Sequence, residues 1–164
     1  MFLELLAVIF AGIAGAGVMM LVTRFVALPR WLVPIGAGAA MLAATISSEY
    51  GWYGRTVNGL PEGVLVAQTA PSKAPWRPWT YVFPMTDRFI AVDTRRTQAN
   101  LETPQLYITD LYFFGRWQPL TQVEIMIDCA NMRRADPARD DGAEPVWRTV
   151  GADDPIVQIV CEAL

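Results

Sequence analysis

The chain has 164 residues, is 53% hydrophobic, carries a net charge of −3 and contains no histidine. So high an apolar share is unusual for a soluble domain and natural for membrane helices joined to a globular part. The acidic balance argues against a nucleic-acid partner, which needs a basic patch to neutralise phosphates. The nearest candidates, Arg95–Arg96 and Arg133–Arg134, are isolated pairs that read as solvated loop charges.

The first apolar run, Phe2 to Val22, is 21 residues long with one charge, Glu4. About 20 residues at roughly 1.5 Å each cross a hydrocarbon core of about 30 Å. A cleaved signal peptide would open on basic residues, whereas this run has none before Arg24, so a retained helix is expected. The second run, Trp31 to Ser47, is uncharged, with Pro34 in its first turn, where a missing N–H costs little. The rest of the chain is too short to bury two uniformly apolar helices, which makes them a membrane hairpin. Small residues recur at four-residue spacing: Ala11/Gly15 and Gly12/Ala16 in the first helix, Gly36/Ala40 and Ala39/Ala43 in the second. That spacing lets helix backbones approach closely in a membrane. It fits packing of the two helices on each other, or docking of the second helix on a larger partner.

Arg24 and Arg30 lie in the connecting turn without an acid, so the positive-inside rule puts that turn in the cytoplasm and both chain ends outside. Trp31 at one end of the second helix, and Tyr50, Trp52 and Tyr53 at the other, suit the headgroup layers.

Beyond Tyr50 the stretch GWYGRTVNGLPEG reads as turn-rich. GVLVAQ reads as a first strand and TAPSKAPWRP as an extended linker whose prolines forbid helix. TYVF (80–83) and RFIAVD (88–93) are candidate strands. After the polar loop TRRTQANLETP, QLYITDLYFF (105–114) carries the strongest strand signal. Residues 115–119, GRWQP, suggest a hairpin loop of about five residues leading to TQVEIMIDC. There Val123, Ile125, Ile127 and Cys129 alternate with Gln122, Glu124 and Asp128, the pattern of a half-buried antiparallel strand. Ala130 to Pro145 is a charged loop, and PVWRTV reads as a last strand. DPIVQIVCEAL is ambiguous: Asp154 before Pro155 looks like a helix start, which favours a short helix or turn, while the Ile/Val alternation suits a strand.

Cys129 and Cys161, both past the hairpin, are expected to form a disulfide in an oxidising compartment. Closing a loop of about 33 residues would contribute about 3–4 kcal/mol. The alternative is a pair of unrelated buried thiols.

Catalytic signatures are missing. No nucleophile-elbow, phosphate-loop or dinucleotide motif occurs, and without histidine a Ser–His or Cys–His nucleophile is excluded. Asp136, Asp140, Asp141 and Glu144 cluster without the spacing of a calcium loop and read as a solvated loop. Paired carboxylates of the glycosidase kind are compatible with the sequence, but nothing selects a pair. No catalytic, cofactor or metal residue is therefore expected, and the chain reads as a non-enzyme. Trp76, Arg77 and Trp79, with Arg116 and Trp117 at the hairpin tip, are of the types enriched at interface hot spots. They are candidate partner contacts; filling the core or resting on the headgroup layer is the competing reading.

SEYGWYGRT, PWRPWTYVFP and FGRWQP together resemble a family of small uncharacterised alphaproteobacterial envelope proteins. The resemblance spans most of the chain and implies an inner-membrane hairpin with a periplasmic domain, but no activity. The expected fold is a membrane-anchored α+β protein. A transmembrane hairpin occupies residues 1–49 (helices about 2–23 and 31–48), and a mostly antiparallel β domain occupies 50–164 in the periplasm. Expected partners are membrane lipids and a larger integral-membrane complex, respiratory or photosynthetic, that the chain serves as an accessory or assembly subunit. A free-standing ligand-binding or sensing module is the second reading, and a carboxylate-dependent hydrolase of envelope polymers the third.

Overall fold

A computed structural model describes residues 2–101, 103–136, 145–151 and 153–163. The chain forms two compact units, Met1–Arg55 and Thr56–Leu164.

The first unit holds α1 (Phe2–Phe25) and α2 (Leu32–Asn58), both long and apolar enough to cross a membrane. They pack through their small residues. A side chain added at Gly12 would collide with Met41, and one at Gly15 would collide with Ala40 and meet the Gly36 carbonyl at 2.7 Å. Gly36 faces Met19 in the same way. Gly12, Gly15, Gly36 and Ala40 therefore line the seam between the helices, where a missing Cβ buys closer backbone approach. Ala11 and Ala16 are half-buried, while Ala39 and Ala43 are exposed on another face of α2. Near the open end of the hairpin, Ser48 Oγ donates to Glu4 Oε1 at 3.3 Å, giving the one acid of α1 a partner on α2.

Helix α2 runs well past Ser48 to Asn58, through the GWYGRTVN that the sequence suggested was turn-rich. Gly51 and Gly54 each cost about 1 kcal/mol in a helix, but extending an existing helix adds a hydrogen bond per residue without a new nucleus. Arg55 folds back over Gly51 and donates from Nη2 to the Ser48 carbonyl at 2.9 Å. The breakers act only at Asn58–Gly59 and Pro61.

The second unit is a curled antiparallel sheet of β1 (Val64–Ser72), β2 (Met85–Asp93), β3 (Gln98–Ala99), β4 (Leu106–Gly115), β5 (Gln118–Asp128), β6 (Arg133–Ala135) and β7 (Arg148–Thr149). The strand order is β1-β2-β4-β5-β6-β7, with β3 paired to β4 beside β2. Several expectations are corrected. TYVF is not a strand: Pro78–Tyr81 forms a 3-10 turn, because Pro78 starts it and Thr80 locks it. Strand β1 absorbs TAPS from the expected linker by bulging at Val66/Gln68 and Ala70/Pro71, where proline needs no ladder bond. The hairpin turn is two residues, Arg116–Trp117, since Gly115 already pairs with Gln118. Within the charged loop, Arg133–Ala135 pairs with β5 as β6. PVWRTV contributes only Arg148–Thr149 to the sheet.

The tail forms α3 (Pro155–Glu162) rather than a strand. The Asp154 carboxylate accepts from the N–H groups of Ile156 (3.0 Å) and Val157 (3.2 Å), satisfying two donors that a helix start leaves open. Ile156, Val157 and Val160 then pack on Val92, Leu111, Ile125 and Ile127 as the core. Cys129 and Cys161 are disulfide-bonded with Cα atoms 5.9 Å apart, pinning the end of α3 to the end of β5.

Next to that bond lies the buried Asp128. Its carboxylate accepts from Asn131 N (3.1 Å), Asn131 Nδ2 (2.8 Å) and the Arg133 guanidinium. Arg133 in turn stacks on Trp147, 5.2 Å from the ring centre. Burial pushes the Asp128 pKa up, but the hydrogen bonds from Asn131 and Arg133 outweigh it and hold the group below its ordinary 3.8.

Two predictions follow from this packing. Gly15→Val should lower the thermal stability of the detergent-solubilised chain by about 1–3 kcal/mol through overpacking, whereas Gly17→Val, facing open space, should not. A carboxyl with a lowered folded-state pKa stabilises above its unfolded value and loses that contribution as pH falls through the folded one. The midpoint of urea unfolding, followed by tryptophan fluorescence, should therefore fall as the pH drops below 3.8. In Asp128→Asn the β unit should start less stable and show a flatter acid slope.

Candidate functional site

One end of the sheet collects most of the exposed aromatic surface of the second unit. The segment between β1 and β2 carries Trp76 (77% exposed), Trp79 (40%), Tyr81, Val82 and Phe83. Across from it, the β4–β5 turn carries Trp117 (59% exposed), with the Arg116 guanidinium 4.9 Å above its ring. The sheet register explains why these distant residues meet. Ser72 pairs with Met85 and Arg88 with Gly115, and Arg116 N donates to Asp87 O at 2.9 Å. The start of β2 thus lies between the aromatic segment and the hairpin tip. All five candidate contact residues, Trp76, Arg77, Trp79, Arg116 and Trp117, belong to this end. It lies at the opposite end of β1 from Val64.

The aromatic segment is held from within. Thr80, only 1% exposed, donates from its hydroxyl to Arg77 O at 2.7 Å and accepts from Ala74 N at 3.1 Å. Phe83 N and Val82 N both donate to Trp79 O, and Ala74 bridges Arg77. A buried polar anchor therefore holds the large apolar side chains outward, the reverse of ordinary folding economy. Lys73, Arg77, Arg88 and Arg116 surround the patch and Asp87 is its one acid, so this end is basic in an acidic protein. The Asp87 Oδ1 atom is buried and accepts no hydrogen bond, its cation at 3.7 Å being Arg88.

Other candidates are separate. Arg95 and Arg96 lie beside Asp93 at 3.9 and 3.8 Å, and Arg96 reaches Asp110 at 3.6 Å. Arg134 pairs with Asp154 at 3.3 Å. These arginines are ion-paired within the fold. Asp136 is exposed at the end of β6, while Asp140, Asp141 and Glu144 lie outside the described residues. Among the described residues no group of three potential metal ligands comes together.

A second feature was not evident from the sequence. Helix α3 covers only part of its sheet face, and beyond its first turn two adjoining cavities of about 200 and 380 Å³ open along that face. They share Gln68, Ile90 and Phe113. Val123, placed on the inward face by the strand alternation, is 37% exposed there because α3 does not reach it. The alternation identified the face but not its uncovered length.

Thr80→Val should keep the sheet intact yet free the aromatic segment, since two hydrogen bonds at about 1 kcal/mol each are lost. Amide exchange over residues 74–83 should rise at least tenfold while that of β4 and β5 stays unchanged.

No protein-family model matches the chain, and no curated protein or solved structure matches it.

Proposed function

We propose that the protein is a non-catalytic accessory or assembly subunit of a larger bacterial inner-membrane complex of respiratory or photosynthetic type. The α1–α2 hairpin anchors it, and the β unit contacts the partner from the periplasmic side. The observation that carries this reading is the convergence of Trp76, Trp79, Tyr81, Val82, Phe83 and the Arg116–Trp117 pair at one rigidly held end of the sheet. Exposed apolar patches rimmed by polar groups are the mark of interaction sites, and Trp, Tyr and Arg dominate their energetics. The disulfide supports an oxidising compartment, and Arg24 and Arg30 between the helices support a cytoplasmic turn. The groove beside α3 favours a second reading, a free-standing ligand-binding or sensing module facing the periplasm.

The test is affinity isolation of the tagged protein from native membranes in a mild detergent, with stoichiometry by mass spectrometry. A larger integral-membrane complex near one-to-one is expected, and Trp79→Ala with Trp117→Ala should reduce its recovery at least tenfold, as loss of two hot-spot residues implies. Recovery of a monomer or homodimer alone would overturn the subunit reading.

A further inference from the structure

The uncovered groove beside α3 has a floor and a mouth of different character. Its floor is apolar: Ile90, Leu111, Phe113, Val123 and Ile125, closed at one end by Ile156 of the first turn of α3. Its mouth carries Arg134 and Arg148, which stand directly opposite each other in the β6–β7 ladder. Like charges at directly opposed positions of an antiparallel pair destabilise it, so their placement has to be repaid elsewhere. Asp154 neutralises Arg134 at 3.3 Å. Arg148 is exposed and makes no ion pair among the described residues; Asp136 is the other charged group lining that cavity, and Arg88 lines the adjoining one.

We propose that this groove binds the acyl chain of an anionic amphiphile, with the chain along Ile90, Phe113 and Val123 and the carboxylate or phosphate head at Arg148 and Arg134. The two adjoining cavities, about 200 and 380 Å³, together fall in the size range of small-molecule sites, roughly 300–1,000 Å³. An apolar chain removes Phe113 and Val123 from water, and an anionic head relieves the repulsion between the two guanidiniums through charge-assisted hydrogen bonds. A polar peptide would gain nothing from the floor, and a neutral lipid would offer Arg148 no counterpart to the Asp154 carboxylate that Arg134 has. The site rests on the α3 face and reaches the aromatic end only at Arg88, Gln118 and Pro119; none of Trp76, Trp79 and Trp117 lines it, so it is tested separately from the subunit reading.

The full-length protein in phosphatidylcholine nanodiscs, free of detergent, is irradiated with a diazirine-bearing palmitate, and the labelled peptides are mapped. Labels are expected in β2, β4 and β5, and the corresponding diazirine alcohol should label those strands about tenfold less, one charge-assisted contact being worth about that factor. Val123→Trp, which fills the smaller cavity from a position already 37% exposed, and Arg148→Glu, on an exposed strand, should each cut palmitate labelling at least fivefold. Near-ultraviolet circular dichroism and an intact disulfide show that each variant is folded. Labelling confined to α1 and α2, equal labelling by acid and alcohol, or full labelling of both folded variants would overturn the proposal. A peptide recovered in the groove in place of lipid would overturn it too.

Discussion

The β unit depends on the seating of α3 on the sheet face formed by β1, β2, β4 and β5. An eight-residue helix has little stability of its own, so this one exists because three constraints act on it together. Asp154 caps its first turn, the core side chains Ile156, Val157 and Val160 bury against β2, β4 and β5, and the Cys129–Cys161 bond ties down its end. The Asp128 network with Asn131 and Arg133 shapes the turn that follows β5 and so sets where Cys129 points. Removing any one of these weakens the others, because the helix covers the same core that the disulfide and the cap position.

The length of α3 also decides where the sheet stays open. Strands β4 and β5 are 10 and 11 residues long, roughly three times the span of the helix at 3.3 Å per strand residue and 1.5 Å per helix residue. One end of the face becomes a sealed core and the continuation becomes a groove with an apolar floor. Past it, the chain displays tryptophan, tyrosine and phenylalanine on a short segment anchored by the buried Thr80. Holding these side chains in advance lowers the entropy cost of any contact they make, which suits a surface built for association.

The helical unit is simpler. Its small residues at Gly12, Gly15, Gly36 and Ala40 are used between α1 and α2, leaving Ala39 and Ala43 on the outer face of α2. Four-residue spacing in a sequence states that a close approach occurs but not with what. Only the relative rotation of the helices divides these residues between the seam and the outer face.

Local chemistry made a large part of this protein legible in its sequence. The two apolar helices, strands β2, β4 and β5, the inward face through Ile125 and Ile127, the cysteine pair and the Asp154-capped tail helix all rest on periodicity, propensity or a cap within a few residues. Non-local interactions defeated the same reasoning. Helix α2 continued through two glycines because it was already nucleated; TYVF curled into a turn around the Thr80 hydroxyl; five expected loop residues became two when Gly115 paired with Gln118. The aromatic candidates could be named from composition, but Trp79 and Trp117 are 38 positions apart, and only the β2–β4 register brings them to one end. The groove left no sequence signal, since it depends on the length of α3 relative to the strands beneath it and on an arginine opposition that exists only once β6 and β7 pair. Sequence determined which residues want burial, caps and bridges; tertiary structure decided which apolar surface remained uncovered, because burial is a competition among elements that no single stretch contains.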